Sequence, residues 1–92
     1  MIRTFKHKAL EHFFRFSSTK GLDARMLSKV SRLLDRLNVA VKPEDMDLPG
    51  YRFHTLKGNR NGHFSVTVTA NWRLTFRFEG EDAFDVNLED YH

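Results

Sequence analysis

No cysteine occurs among the 92 residues, so a disulfide framework, a Cys-ligated zinc site and a cysteine nucleophile are all excluded. That absence fits a reducing cytosol. No apolar run approaches the ~20 residues that a membrane helix needs. The opening Met1-Ile-Arg-Thr-Phe-Lys-His-Lys8 carries charge with no apolar signal-peptide core behind it. These absences predict a soluble, cytoplasmic protein with no membrane partner. There is no internal repeat and no low-complexity segment. None of the five histidines pairs with another at helical i, i+4 or hairpin spacing beside an acid, so no metal site and no cofactor are expected. A Ser-His-Asp arrangement has no signature in spacing, because its members meet only in space.

What is present suffices for one domain, residues 1–92, around a single core. Hydrophobic residues make up 40% and aromatics 13%, and nine phenylalanines are expected to supply much of the burial. The net charge of +3 conceals an asymmetry. Residues 1–77 hold all 15 Lys and Arg against six acids, a balance of +9, whereas residues 78–92 hold six acids and no Lys or Arg, a balance of −6. A basic body is the electrostatic footprint expected for a polyanion partner such as nucleic acid. A solvated positive helix face is the plainer explanation of the same charge.

Two helices open the chain. In the first, Ala9, Leu10, Phe13, Phe14 and Phe16 make an apolar stripe, and Gly21 suits the left-handed position after a helix. Asp23 is placed to cap the second, where Met26, Val30, Leu33 and Leu37 fall on one face of a 3.6-residue period, widened by Leu27 and Leu34. Arg25, Lys29, Arg32 and Arg36 form a basic stripe on its polar side. Residues 38–50 form a connector holding both prolines, with a short helical turn over Glu44-Asp45-Met46-Asp47. From Tyr51 the period changes to two. Strands are predicted over 51–56, from Phe64 to Thr69, from Trp72 to Phe78, and from Phe84 to Glu89. Short turns between them imply an antiparallel meander. The fold class is therefore α+β, with two N-terminal helices on one face of a sheet of about four strands.

If the helices cover the Trp72/Leu74/Phe76 face, the opposite face carries Arg73, Thr75, Arg77 and the Ser65/Thr67/Thr69 row. An antiparallel sheet can leave such a face in water without any function. Two arginines two residues apart also make a phosphate cradle, because guanidinium forks bind phosphate oxygens in pairs. Lys57 and Arg60 on the adjoining turn extend it. His7 and His12 are expected to decorate the first helix, and His63 to sit at the sheet rim. His54 alternates with Arg52, away from Tyr51 and Phe53. The sequence closes on Asp90-Tyr91-His92. Carried on a strand, these three ionisable groups are materials for proton transfer; otherwise they are a solvated tail. Strict alternation sets Asp90 and His92 on the Phe84/Val86/Leu88 face, away from Arg73.

The chain resembles a HigB-family toxin of the RelE/ParE superfamily over nearly its whole length. The resemblance is carried by Met1-Ile-Arg-Thr-Phe-Lys-His-Lys8, Arg52-Phe-His-Thr-Leu-Lys-Gly58, Asn71-Trp-Arg-Leu-Thr-Phe76 and Glu89-Asp-Tyr-His92. It departs at Thr55, where related chains often have proline, and through the connector 38–50. The resemblance implies a ribosome-dependent mRNA endonuclease held by a HigA-type helix-turn-helix antitoxin, with operator DNA reached only through that antitoxin. By position, His54, Arg73, Asp90, Tyr91 and His92 match residues implicated in cleavage, and Lys57 matches a basic position near the RNA. Arg60 and Arg77 join it as candidate RNA contacts.

Metal-free cleavage by the RNA 2′-hydroxyl needs a base, a cation for the phosphorane charge and an acid for the leaving oxygen. Arg73 suits the cation. His54 and His92 are candidates for base and acid, because histidine titrates near neutral pH. Asp90 suits orienting a histidine or acting as base, and Tyr91 suits stacking or proton donation. Two rival functions fit the same chain: a ParE-like gyrase poison, and a non-catalytic basic nucleic-acid-binding module.

Overall fold

The computed structural model describes residues 1–90. Two helices, α1 (Lys8–Phe16) and α2 (Leu27–Val39), precede four strands: β1 (His54–Thr55), β2 (His63–Thr67), β3 (Trp72–Glu79) and β4 (Asp82–Asp90). The strands form one antiparallel sheet in the order β1-β2-β3-β4. Before α1, the chain runs beside β4 in parallel bridges, Ile2 to Ala83 and Phe5 to Val86. Backbone bonds from Arg3 to Ala83 and from Lys6 to Val86, each 2.8 Å, satisfy groups that an edge strand would leave open. The sequence pattern did not reveal this pairing.

The end of each helix has a local cause. His7 caps α1, its Nδ1 accepting the Leu10 amide at 3.1 Å, so it is a structural cap and not surface decoration. Burial holds its pKa below the ordinary 6.5. The left-handed residue ending α1 is Ser17, with φ 60°, and not Gly21. Asp23 accepts the Arg25 amide at 2.9 Å and caps a 3-10 turn, Ala24–Met26, that leads into α2. The predicted turn in the connector is a 3-10 turn over Pro43–Met46. Asp45 holds it by accepting the Val41 amide at 2.9 Å.

Leu10 of α1 and Val30, Leu33, Leu34 and Leu37 of α2 share one core with Val66, Leu74, Phe76, Val86 and Leu88 of the sheet. Phenylalanine contributes less than expected. Phe76 is the one phenylalanine among the buried residues, and Phe16, placed on the apolar stripe by periodicity, is 73% exposed. Aliphatic side chains fill the centre, each worth about 1.5–3 kcal/mol when fully buried. Phe53, Phe64 and Phe78 pack partly buried against it, joined through the buried Phe76 by successive ring contacts of 5.6–6.0 Å.

Two local features set the sheet's outer face. The predicted strand over 51–56 shrinks to His54–Thr55, because Arg52 takes a left-handed φ of 51° and breaks the extended path. In β4, Asp85 at φ 55° is an extra residue: Arg77 pairs with Phe84, yet Thr75 pairs with Asn87. This is a β-bulge. Its consequence is a correction of face. Phe84 turns to the Arg77 side, while Val86 and Leu88 remain in the core.

Candidate functional site

Cross-strand register carries His54, Ser65, Thr75 and Asn87 onto one row, since each is the Cα partner of the next. Thr67, Arg73 and Glu89 form the adjacent row. Between them lies a pocket of about 350 Å³ lined by Arg52, His54, Thr55, Leu56, Ser65, Thr67 and Arg73. This face is not the open surface that alternation suggests. Ser65 and Thr75 are buried, Thr75 at 1% exposure.

The left-handed backbone at Arg52 has a direct effect on His54. It aims the Arg52 carbonyl at the imidazole, with a Nδ1-to-oxygen distance of 2.6 Å. A carbonyl only accepts, so Nδ1 carries the proton and donates. In the neutral ring, Nε2 then bears the lone pair.

Arg73, on the strand beyond β2, lines the same pocket and is half-buried. Its cross-strand partner is Glu89, a residue that sequence reasoning passed over. Glu89 Oε1 accepts Arg73 Nη2 at 3.4 Å and Arg60 Nη1 at 3.2 Å. Its Oε2 accepts Arg60 Nη2 at 2.7 Å, Thr75 Oγ1 at 2.9 Å and Asn87 Nδ2 at 3.3 Å. Burial alone would push this carboxyl up. The hydrogen bonds from Arg60 and Thr75, and the charges of Arg60 and Arg73, outweigh it and bring the pKa down to about 2. The same fork raises the pKa of Arg60.

The remaining predicted positions divide. Lys57 is exposed, just before the 3-10 turn Gly58–Arg60 beside the pocket. Arg77 shares the outer face, but its Nε donates to Asp85 at 2.7 Å, its Nη1 pairs with Glu79, and its guanidinium lies 5.1 Å over the Phe84 ring. Asp90 is exposed and pairs with Trp72, so the register sets it on the side opposite Arg73. The bulge therefore does not bring Asp90 to the Arg73 face; it brings Glu89. Tyr91 and His92 lie outside the described residues. His63 opens β2 opposite Arg77, with a buried Nδ1 that has no hydrogen-bond partner among the described residues. Among the described residues, no group of three or more His, Asp or Glu side chains is placed to hold a metal ion, and no helix is long and apolar enough to cross a membrane.

A signal for Glu89 did exist in the sequence. The two-residue turn between β3 and β4 fixes Glu79 opposite Asp82. Carried without interruption, that register would set Leu88 against Arg73 and Val86 against Thr75, apolar groups on a polar face. One added residue resolves the conflict and makes Glu89 the partner of Arg73.

Comparison with known proteins agrees with this architecture. Residues 3–92 match the profile of the family described as the RelE-like toxin of type II toxin-antitoxin system HigB. The chain is 40% identical to Endoribonuclease HigB of Proteus vulgaris over 92 residues, covering 100% of both chains. It is 30% identical to Toxin HigB-1 of Vibrio cholerae over 93 residues, covering 99% of this chain and 98% of that one. Among solved structures it is similar to a heterotetrameric YoeB-YefM toxin-antitoxin complex from Staphylococcus aureus. There the TM-score is 0.65 at 22% identity, covering 100% of this chain and 95% of that one. On its fold, its full-length profile match and these identities, the chain belongs to the HigB family of RelE-like type II toxins.

Proposed function

We propose that this protein is a ribosome-dependent mRNA endonuclease of the cytoplasm, restrained by a HigA-type helix-turn-helix antitoxin and reaching operator DNA only through it. The relative at 40% identity is named an endoribonuclease, and YoeB of the same fold was solved with its antitoxin YefM. The observation that carries the reading is that His54 of β1 and Arg73 of β3, on the strands flanking β2, line one pocket. The balance of +9 over residues 1–77 suits a polyanionic substrate presented on a polyanionic particle.

In the proposed reaction the RNA 2′-hydroxyl attacks the adjacent phosphorus. The 2′-oxygen loses its proton to a base and bonds to phosphorus. The bond from phosphorus to the 5′-oxygen breaks, and an acid returns a proton to that oxygen. The products are a 2′,3′-cyclic phosphate and a 5′-hydroxyl. Side chains supply all three needs, with no metal step. Arg73 neutralises the charge that builds on the phosphorane. His54 suits the base, because its Nε2 bears the lone pair while Nδ1 is anchored. His92 is the complementary acid and Tyr91 stacks on a base, while Asp90, set by the register on the side opposite Arg73, is kept for orienting His92 and not for meeting the phosphate. Lys57 and Arg60 hold the RNA backbone. Arg77, already engaged by Asp85 and Glu79, contributes less.

The test is to add the purified protein to translating ribosomes and map transcript ends. Cuts within translated message are expected, together with loss of cutting in Arg73→Ala. Intact transcripts alongside growth arrest would overturn the mechanism. Stabilised DNA breaks would indicate a gyrase poison, and harmless expression a binding module.

A further inference from the structure

Glu89 stands where a polyanion site would be expected to exclude a carboxylate. It lies directly across from Arg73 and draws on Arg60 as well, so it subtracts charge from Arg73, which lines the pocket, and from Arg60. Its oxygens are nonetheless saturated by five donors from four residues: Arg60, Arg73, Thr75 and Asn87. A carboxylate offers about four lone-pair sites, so none of its accepting capacity is idle. Thr75, which anchors it from below, is buried. The Arg60 fork also spans 29 residues of sequence, tying the turn that follows Lys57 to β4.

We propose that Glu89 is a positioning residue, whose carboxylate holds the Arg60 and Arg73 guanidiniums and the Lys57 turn in the geometry that meets the scissile phosphate. A guanidinium on a long side chain is mobile unless its nitrogens are held. Glu89 takes one terminal nitrogen of Arg73 and both of Arg60. The arrangement gives up electrostatic attraction for the RNA and gains orientation, which matters because a misplacement of about 1 Å can cost roughly 100-fold in rate.

The inference rests on the nuclease reading for its kinetic arm and is independent of it for its spectroscopic arm. Glu89→Gln keeps the shape and removes the charge. Expected is a fall in kcat of about 10- to 100-fold on ribosome-bound message. Affinity for a 2′-deoxy, uncleavable oligonucleotide is expected to stay unchanged or tighten. Arg60→Ala should lower kcat similarly, and the double variant should lose little more than either single one. Cleavage at or above the wild-type rate in Glu89→Gln would overturn the proposal, showing a mere charge suppressor. Parallel loss of cleavage and oligonucleotide affinity would overturn it in favour of a purely structural ion pair. Side-chain nitrogen NMR of the free protein should show hindered guanidinium rotation at Arg60 and Arg73 in the wild type, freed in Glu89→Gln. If the wild type fails to cut any message, the nuclease reading falls alone. Unchanged guanidinium ordering in Glu89→Gln then sinks the positioning role separately.

Discussion

His54 donates its Nδ1 proton to the carbonyl of Arg52, at 2.6 Å, across a backbone that Arg52 bends with a φ of 51°. A left-handed conformation costs an ordinary side chain roughly 1–2 kcal/mol, and here that strain sets the tautomer of the imidazole. Arg52→Gly should therefore keep cleavage and hold or raise stability. Arg52→Val, which resists positive φ, should lose about 1–2 kcal/mol of stability and most of the cleavage. Chemical denaturation and transcript-end mapping on the two variants check this. His54→Ala should lower the cleavage rate by roughly 100- to 10,000-fold, the usual worth of a general base. An intact rate in Arg52→Val would separate the backbone bend from the chemistry.

Arg73 tests charge against shape. Its terminal nitrogen meets Glu89, and a planar guanidinium matches phosphate oxygens with paired donors. Lysine offers a point charge and no fork. Arg73→Lys is expected to retain much of the RNA affinity and recover little of the rate. Arg73→Ala should lose about 100- to 1,000-fold in rate. Single-turnover cleavage beside oligonucleotide binding separates the two effects, and full activity in Arg73→Lys would refute the argument.

Much of the fold was legible because its patterns are local. Alternation from Phe64 to Thr69 gave β2, which runs from His63 and ends two residues earlier at Thr67. Alternation from Trp72 to Phe78 gave β3, and Val30, Leu33, Leu34 and Leu37 gave the buried face of α2. Departures from pattern were not legible. Arg52 in a left-handed conformation has no sequence signature, so the strand predicted over 51–56 was too long. The His7 cap was hidden because histidine is an uncommon cap, and its role depends on a deprotonated Nδ1. The candidate site was half legible: His54 and Arg73 do face one pocket, but Glu89 passed for a polar position in an alternating strand. Asp90 falls on the other side of the sheet for the same reason that Glu89 falls on this one.

Asp85 supplies the register shift, and deleting it should be far worse than replacing it. Without the extra residue, Val86 and Leu88 would point to the polar face and their neighbours into the core. Asp85→Gly tolerates φ 55° and loses only the pairing with Arg77. The glycine variant is expected to fold with modest loss, and the deletion variant to lack a cooperative unfolding transition. Circular dichroism during heating distinguishes them. A cooperative deletion variant would show that the bulge does not hold the sheet in register.

His7 predicts a dependence of stability on mild acid. Its Nδ1 must be unprotonated to accept the Leu10 amide, and burial holds its pKa below the ordinary 6.5. Between the folded and unfolded values the unfolded chain binds more protons, so stability rises with pH. The cap contribution is thus fully present above 6.5, and it declines as the pH falls below that value. His7→Asn, which caps without titrating in this range, should flatten this part of the profile. His7→Ala should lose about 1 kcal/mol at neutral pH. Urea titrations from pH 7.5 to 5 measure both.

Glu89 governs the stronger acid limb. Its folded pKa is about 2 against an ordinary 4.5, so it contributes stability that is present above 4.5 and lost as the pH falls toward 2. With its side chain 20% exposed, solvent screens the cluster only in part. The shift corresponds to stabilisation on the order of 3 kcal/mol at neutral pH. Glu89→Gln should reduce the slope between pH 4.5 and 2, leaving the shares of Asp23, Asp82 and Asp85, whose arginine partners also lower their pKa values. It should leave the slope near pH 6 untouched, since His7 lies on another element. Arg60→Ala should weaken the acid limb as well, by removing the two-bond fork on the carboxylate. Denaturation midpoints measured across this range would contradict the assignment if Glu89→Gln kept the wild-type slope, because the protons taken up on unfolding would then belong to another carboxylate.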